Sequence, residues 1–131
     1  MIINSVALSL NILKPGDVAA TGGTSGVIYA VTDILKSKES SRINNFAHVN
    51  YTPKSTNVGK LLCINGAGIM YRWLRNNLGE ESYEAMNKKA SKVAVGSEGV
   101  VVIPFGNGAE RMLNSKNIGT HFINLNLNQH S

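Results

Sequence analysis

At 131 residues, with 43% of them hydrophobic and charges of both signs mixed along its length, the chain suits one globular domain and excludes wholesale disorder. Its net charge of +5 comes from scattered Lys and Arg with few aromatic residues between them, which argues for a solvated surface and against a nucleic-acid groove. The single cysteine, Cys63, excludes an internal disulfide; it lies in the apolar run Leu61-Leu62-Cys63-Ile64 and is expected as a core residue in a reducing compartment.

From the N-terminus, Asn4 or Ser5 can cap a short helix over Val6 to Leu13, stopped by Lys14-Pro15-Gly16. The segment Ile2 to Asn11 has neither the basic start nor the small-residue cleavage site of a secretory signal, and no stretch is long and apolar enough to span a membrane. Cytoplasm is the expected location. Strands are expected at about Asp17–Thr21 and Val27–Val31, joined by a glycine-rich turn. Ser37 to Ile43 reads as a surface loop. Phe46–Tyr51 and Lys60–Ile64 read as two more strands, separated by the turn-rich Thr52 to Asn57.

A helix is expected over Ala67 to Asn77, with Ile69, Met70 and Trp73 on one face and Gly79 as its stop. Ser82 is placed to cap a second helix that buries Tyr83, Met86 and Ala90. Gly99 to Phe105 is rich in β-branched residues and predicts a central strand; Phe105 to Asn117 predicts a loop, and Thr120 to Leu127 alternates as a strand with one buried face. Trp73, Tyr83 and Phe105 read as core aromatics. His48, His121 and His130 form no metal-spaced cluster.

The turn Gly22-Gly23-Thr24-Ser25-Gly26 carries the most chemistry. Its glycines let another group approach the backbone, successive N–H groups can form an anion-binding concavity, and the two hydroxyls can donate to phosphate oxygens. A tight hairpin turn uses glycine in the same way and needs no ligand. Gly66-Ala67-Gly68 has the same two readings, a plain strand-to-helix turn or a helix start open to an anion. Arg72 reads by itself as a solvated helix charge. Glu110-Arg111 reads by itself as a surface ion pair.

Five blocks in order widen the basis: Gly23-Thr24-Ser25-Gly26, Asn45-Phe46-Ala47-His48-Val49, Gly66 to Arg75, Gly96 to Phe105, and Gly108-Ala109-Glu110-Arg111. The ordered set resembles the start of the C-terminal domain of the FGGY carbohydrate kinases, most closely the xylulokinases, from about Asn4 to Ser131. The resemblance implies an α/β fold: part of a ribonuclease-H-like domain of the actin and hexokinase type, a mixed sheet with helices packed on it. Residues 1–131 would then be an incomplete C-terminal nucleotide-binding domain, with no second domain. It also implies ATP with Mg2+ as cofactors, a pentulose such as xylulose as acceptor in the full-length parent, and transfer of the γ-phosphoryl group to a sugar hydroxyl. Carried onto this chain, Gly23, Thr24, Ser25 and Gly26 match the loop that cradles the β- and γ-phosphates, and Gly68 and Arg72 match positions near the nucleotide.

The chain also departs from that pattern. The family's catalytic aspartate, about twenty residues before the glycine turn, falls at Ile2 or outside the chain; Asp17, the nearest carboxylate, belongs to the Pro15-Gly16-Asp17 turn. The sugar-binding domain and the later glycine-rich adenosine motif are absent, and Ile123-Asn124 breaks the glycine spacing of a second signature. The expectation is therefore a piece that supplies phosphate-binding elements without turnover. A stand-alone nucleotide-binding module, or a scaffold that binds no ligand, stays open beside it. Uncovered sheet edges would favour self-association.

Overall fold

The computed structural model describes residues 7–129. The proposed caps Asn4 and Ser5, the position Ile2 and His130 lie outside them. Residues 7–9 are helical, and the amide of Ile12 closes on the carbonyl of Ala7 at 2.9 Å. The chain then turns at Pro15-Gly16, where Asp17 accepts the amides of Leu13 and Lys14 on its carboxylate at 3.0 and 3.1 Å.

Strands β1 (Val18–Gly22) and β2 (Gly26–Thr32) form an antiparallel hairpin around the glycine turn. After an exposed loop come β3 (Asn44–Ala47) and β4 (Val58–Ile64), giving a sheet of order β1-β2-β4-β3. Each pairing is antiparallel, so the parallel component of a mixed sheet is absent among the described residues. The cause is local: a hairpin connects β1 to β2, and no helical crossover intervenes between paired strands. Strand β3 ends at Ala47, short of the expected Tyr51, because His48 leaves the ladder for a turn whose carbonyl accepts the Tyr51 amide at 2.9 Å.

The core lies on one face of β2 and β4. Tyr29, Val31 and Leu61 are buried there with Ala7, and Ile12, Val27 and Cys63 pack around them. Val27, Tyr29 and Val31 recur every second residue, which puts them on the same face of the pleat. Gly59 makes room for the Tyr29 ring: a Cβ there would lie 1.9 Å from the phenolic oxygen. His48, also buried, is fixed by its own bonds. Its Nδ1 accepts the Asn50 amide at 3.2 Å, which leaves Nε2 to donate to the carbonyl of Ile12 at 2.9 Å.

Helix α1 spans Ala67–Asn77, the expected bounds, and Gly79 ends it with φ of +67°. Helix α2 spans Tyr83–Ala90. Ser82 caps it as expected, its hydroxyl accepting the Ala85 amide at 3.1 Å, with Glu84 in the first turn and Lys88 and Lys89 in the last, where the helix dipole favours each sign.

Several expectations fail in the rest of the chain, among them the one-sided burial of the last strand, which ends at Ile123 instead of Leu127 and has no buried residue. The β-branched run yields β5 (Val101–Phe105), which is no central strand: among the described residues it pairs with β6 (Gly119–Ile123) alone, in a two-stranded ribbon. Trp73, read as a core aromatic, is 54% exposed, and Tyr83 is exposed as well; of the face expected to be buried on α2, only Met86 is.

Candidate functional site

The hairpin loop Gly23-Thr24-Ser25 folds tightly, with the amide of Gly23 donating to the carbonyl of Ser25 at 3.0 Å. The N-terminus of α1 abuts it. Gly66 is the N-cap and offers no side chain to the orphan amides of the first turn. One of those amides is satisfied by the loop instead: Ile69 donates to the carbonyl of Thr24 at 3.0 Å. Gly68 allows this contact, since a Cβ at that position would sit 1.8 Å from the carbonyl oxygen of Gly23. The close approach that Gly68 permits is thus first of all to the chain's own turn.

Loop and helix border an open cleft of about 390 Å³, lined by Gly22, Gly23, Thr24, Gly68 and Arg72 among others, with Tyr71 and Tyr83 also in its wall. Gly68 and Arg72 are four apart and share a helix face. Of the six residues singled out from sequence, four line this cleft: Gly23, Thr24, Gly68 and Arg72. Ser25 is half-buried, and Gly26 faces Ala67, whose Cβ would be 3.1 Å from one added at Gly26; neither is among the lining residues.

The two tyrosines come from different helices, Tyr71 from α1 and Tyr83 from the start of α2. The Tyr71 and Tyr83 rings stack with centroids 5.4 Å apart, the Arg75 guanidinium lies 4.8 Å from the Tyr83 centroid, and the Tyr71 hydroxyl donates to Oδ1 of Asn87. Sequence reasoning missed this wall. The available signal was the position of Tyr71, three residues after Gly68 on a helix whose start was already of interest.

Glu110 and Arg111 form neither a surface ion pair nor a common site. Arg111 donates to the carbonyl of Ser40 at 3.1 Å, while Glu110 is completely buried, both carboxylate oxygens accepting the amide of Asn65 at 3.0 and 3.1 Å. Among the described residues, no group of three His, Cys, Asp or Glu is placed to hold a metal, and no helix is long and apolar enough to cross a membrane. Mg2+ is commonly held by substrate phosphates with few protein carboxylates, so the residues of this cleft suit a polyphosphate that carries its own metal.

No protein-family model matches the chain. It is 30% identical to the gluconokinase of Bacillus subtilis (strain 168) over 131 residues, covering 92% of this chain and 25% of that protein. Among solved structures, the xylulose kinase of Rhodospirillum rubrum superposes with a TM-score of 0.77 at 24% identity, over 98% of this chain and 25% of that one. The gluconate kinase of Lactobacillus acidophilus gives 0.75 at 24% identity, over 92% and 24%. The chain thus spans about a quarter of the length of the curated relatives it matches. Its structural neighbours have the actin and hexokinase type of fold expected from sequence. Gluconate and xylulose kinases both match, so the similarity is to carbohydrate kinases as a group and not to xylulokinases in particular.

Proposed function

We propose, from the similarity to gluconate and xylulose kinases and the geometry of the cleft, that the chain is a part of an FGGY carbohydrate kinase and supplies the nucleotide side of a phosphotransfer from MgATP to a sugar hydroxyl. One observation carries the reading: the glycine turn and the first two turns of α1 converge on a single cleft with Arg72 at its edge. In this reading the polyphosphate lies along Gly23 and Thr24. The missing Cβ of Gly23 lets it reach the backbone, the Thr24 hydroxyl donates to a phosphate oxygen, and Arg72 neutralises charge with a two-pronged contact. The Ser25 carbonyl closes the turn by accepting the Gly23 amide. When bound, ATP supplies the γ-phosphoryl group, whose transfer depends mainly on positioning and charge stabilisation.

The general base is not among these residues. Asp17 is the carboxylate nearest the turn in sequence, and its oxygen is occupied by the amides of Leu13 and Lys14. Those two hydrogen bonds hold its pKa below the ordinary carboxylate value, making it a poor proton acceptor. The chain by itself therefore binds nucleotide without turning it over. The acceptor is a pentulose of the xylulose type, contacted by the part of the relatives that the chain does not span. D-gluconate is the second reading, favoured by the 30% identity to a gluconokinase.

Calorimetric titration of the chain with MgADP tests the proposal. We expect saturable binding that weakens about tenfold in Arg72→Ala, the scale of one charge-assisted hydrogen bond, with no loss of thermal stability from this exposed side chain. Equal affinity in the wild type and the variant, or no binding at all, would refute it.

A further inference from the structure

Glu110 is the one fully buried large side chain among the described residues, and it is a carboxylate. Burying such a group is costly unless hydrogen bonds or an opposite charge compensate it. Among the described residues, the ion pairs Arg42–Glu39 and Lys89–Glu80 do not involve it. Its side chain bonds instead to one backbone group, the amide of Asn65, with both oxygens. The same loop grips residue 65 twice more: Asn65 Nδ2 donates to the carbonyl of Ala109 at 2.9 Å, and Asn107 Nδ2 donates to the carbonyl of Asn65 at 3.1 Å. The next residue, Gly66, is pressed so closely on the carbonyl of Pro104 that a Cβ would lie 1.5 Å from its oxygen.

These contacts fix where α1 begins. Asn65 immediately precedes the N-cap, where a negative charge is also favoured by the helix dipole. Three residues beyond that cap, the Ile69 amide donates to Thr24, and Gly68 meets Gly23. We propose that Glu110 is a positioning residue for the glycine turn: by holding Asn65 it sets the start of α1, and the start of α1 sets the turn that lines the cleft. The inference rests on the proposed nucleotide site for its functional meaning. It predicts that the turn loosens when the acceptor at 110 is lost, and that glutamine, which keeps a carbonyl acceptor at the same reach, restores it.

The test is amide hydrogen exchange by NMR on the full chain, wild type against Glu110→Ala and Glu110→Gln, with the MgADP titration beside it. In Glu110→Ala, Ile69 should exchange about tenfold faster relative to the amides of the β2–β4 ladder, and MgADP affinity should fall by a similar factor. Glu110→Gln should return both to near the wild-type values. A purely structural role accelerates Ile69 and the ladder in proportion, and that result overturns the proposal, as does a glutamine variant that behaves like alanine. Should Glu110→Ala not fold, Asn107→Ala removes another tie to Asn65 and is expected to accelerate Ile69 selectively. An unchanged Ile69 in that variant counts against the proposal. A wild type that binds no MgADP removes the nucleotide reading, while the exchange ratio still decides the positioning role.

Discussion

The Cα of Gly68 faces the carbonyl of Gly23 so closely that a methyl group there would sit 1.8 Å from the oxygen. The clash is with backbone at both ends, so no side chain can rotate away. Gly68→Ala should therefore separate α1 from the turn, at a cost of roughly 3 kcal/mol, the upper end of overpacking effects. Gly23 itself is different. Its φ is not positive, and an added Cβ would find only the Ser25 carbonyl at 3.8 Å, an ordinary contact. Gly23→Ala should keep stability within about 0.5 kcal/mol of wild type while placing a methyl where the proposed polyphosphate approaches. Thermal melts and MgADP titration of both variants separate the packing role of one glycine from the ligand role of the other. Equal melting temperatures for the two would contradict the assignment.

How much of this was legible in the sequence follows from how local each feature is. The bounds of α1, the Ser82 cap and the glycine hairpin depend on neighbouring residues, and those were read correctly. The β-branched run 101–105 announced a strand but not its partners. β-branching reports a fit to a pleated surface, and the same residues serve in a two-stranded ribbon as in a sheet centre. Glu110 was beyond reach for the same reason. Its burial is decided by Asn65, 45 residues earlier, and no spacing rule connects the two. Within the candidate site, Gly68 and Arg72 could be joined by helical periodicity, whereas the wall made by Tyr83 required knowing how α2 turns back on α1.

Asp17 makes stability depend on pH at the acidic end. Its carboxylate accepts the amides of Lys14 and Leu13, and these bonds lower its folded-state pKa from 3.8. A group depressed in this way contributes fully above its unfolded value and loses that contribution as pH falls through the folded one. Melting temperatures of wild type and Asp17→Asn should therefore differ by a constant amount near neutrality and converge as pH drops below 3.8. A difference that persists unchanged into strong acid would show that the ionised carboxylate is not what the turn uses.

On the sheet face opposite the core, Ile28 and Val18 are 48% and 59% exposed, and β1 and β3 are the edge strands among the described residues. Exposed apolar residues beside an unpaired strand edge invite pairing with another chain. The weight-average mass in sedimentation should rise with concentration. Ile28→Thr preserves β-branching but reduces the apolar surface, and should weaken association about fivefold, equivalent to ~1 kcal/mol. A mass that does not vary with concentration in the wild type would remove self-association from the account.

The Tyr29 hydroxyl is buried, has no hydrogen-bond partner, and lies against Gly59, where even a Cβ would overlap it. An unpartnered buried hydroxyl has lost its hydration without replacement, so deleting it removes a cost and leaves the ring packing intact. Tyr29→Phe should match the wild type or exceed it by up to about 1 kcal/mol in denaturant unfolding. Alkali gives a second handle. Burial raises the folded-state pKa of Tyr29 above 10.0, so the unfolded chain ionises first and wild-type stability falls as pH climbs past that value. The phenylalanine variant lacks this contribution, and the gap between the two proteins should widen in its favour above pH 10.0. A variant that is less stable than wild type throughout would mean that the hydroxyl has a partner which holds the core together.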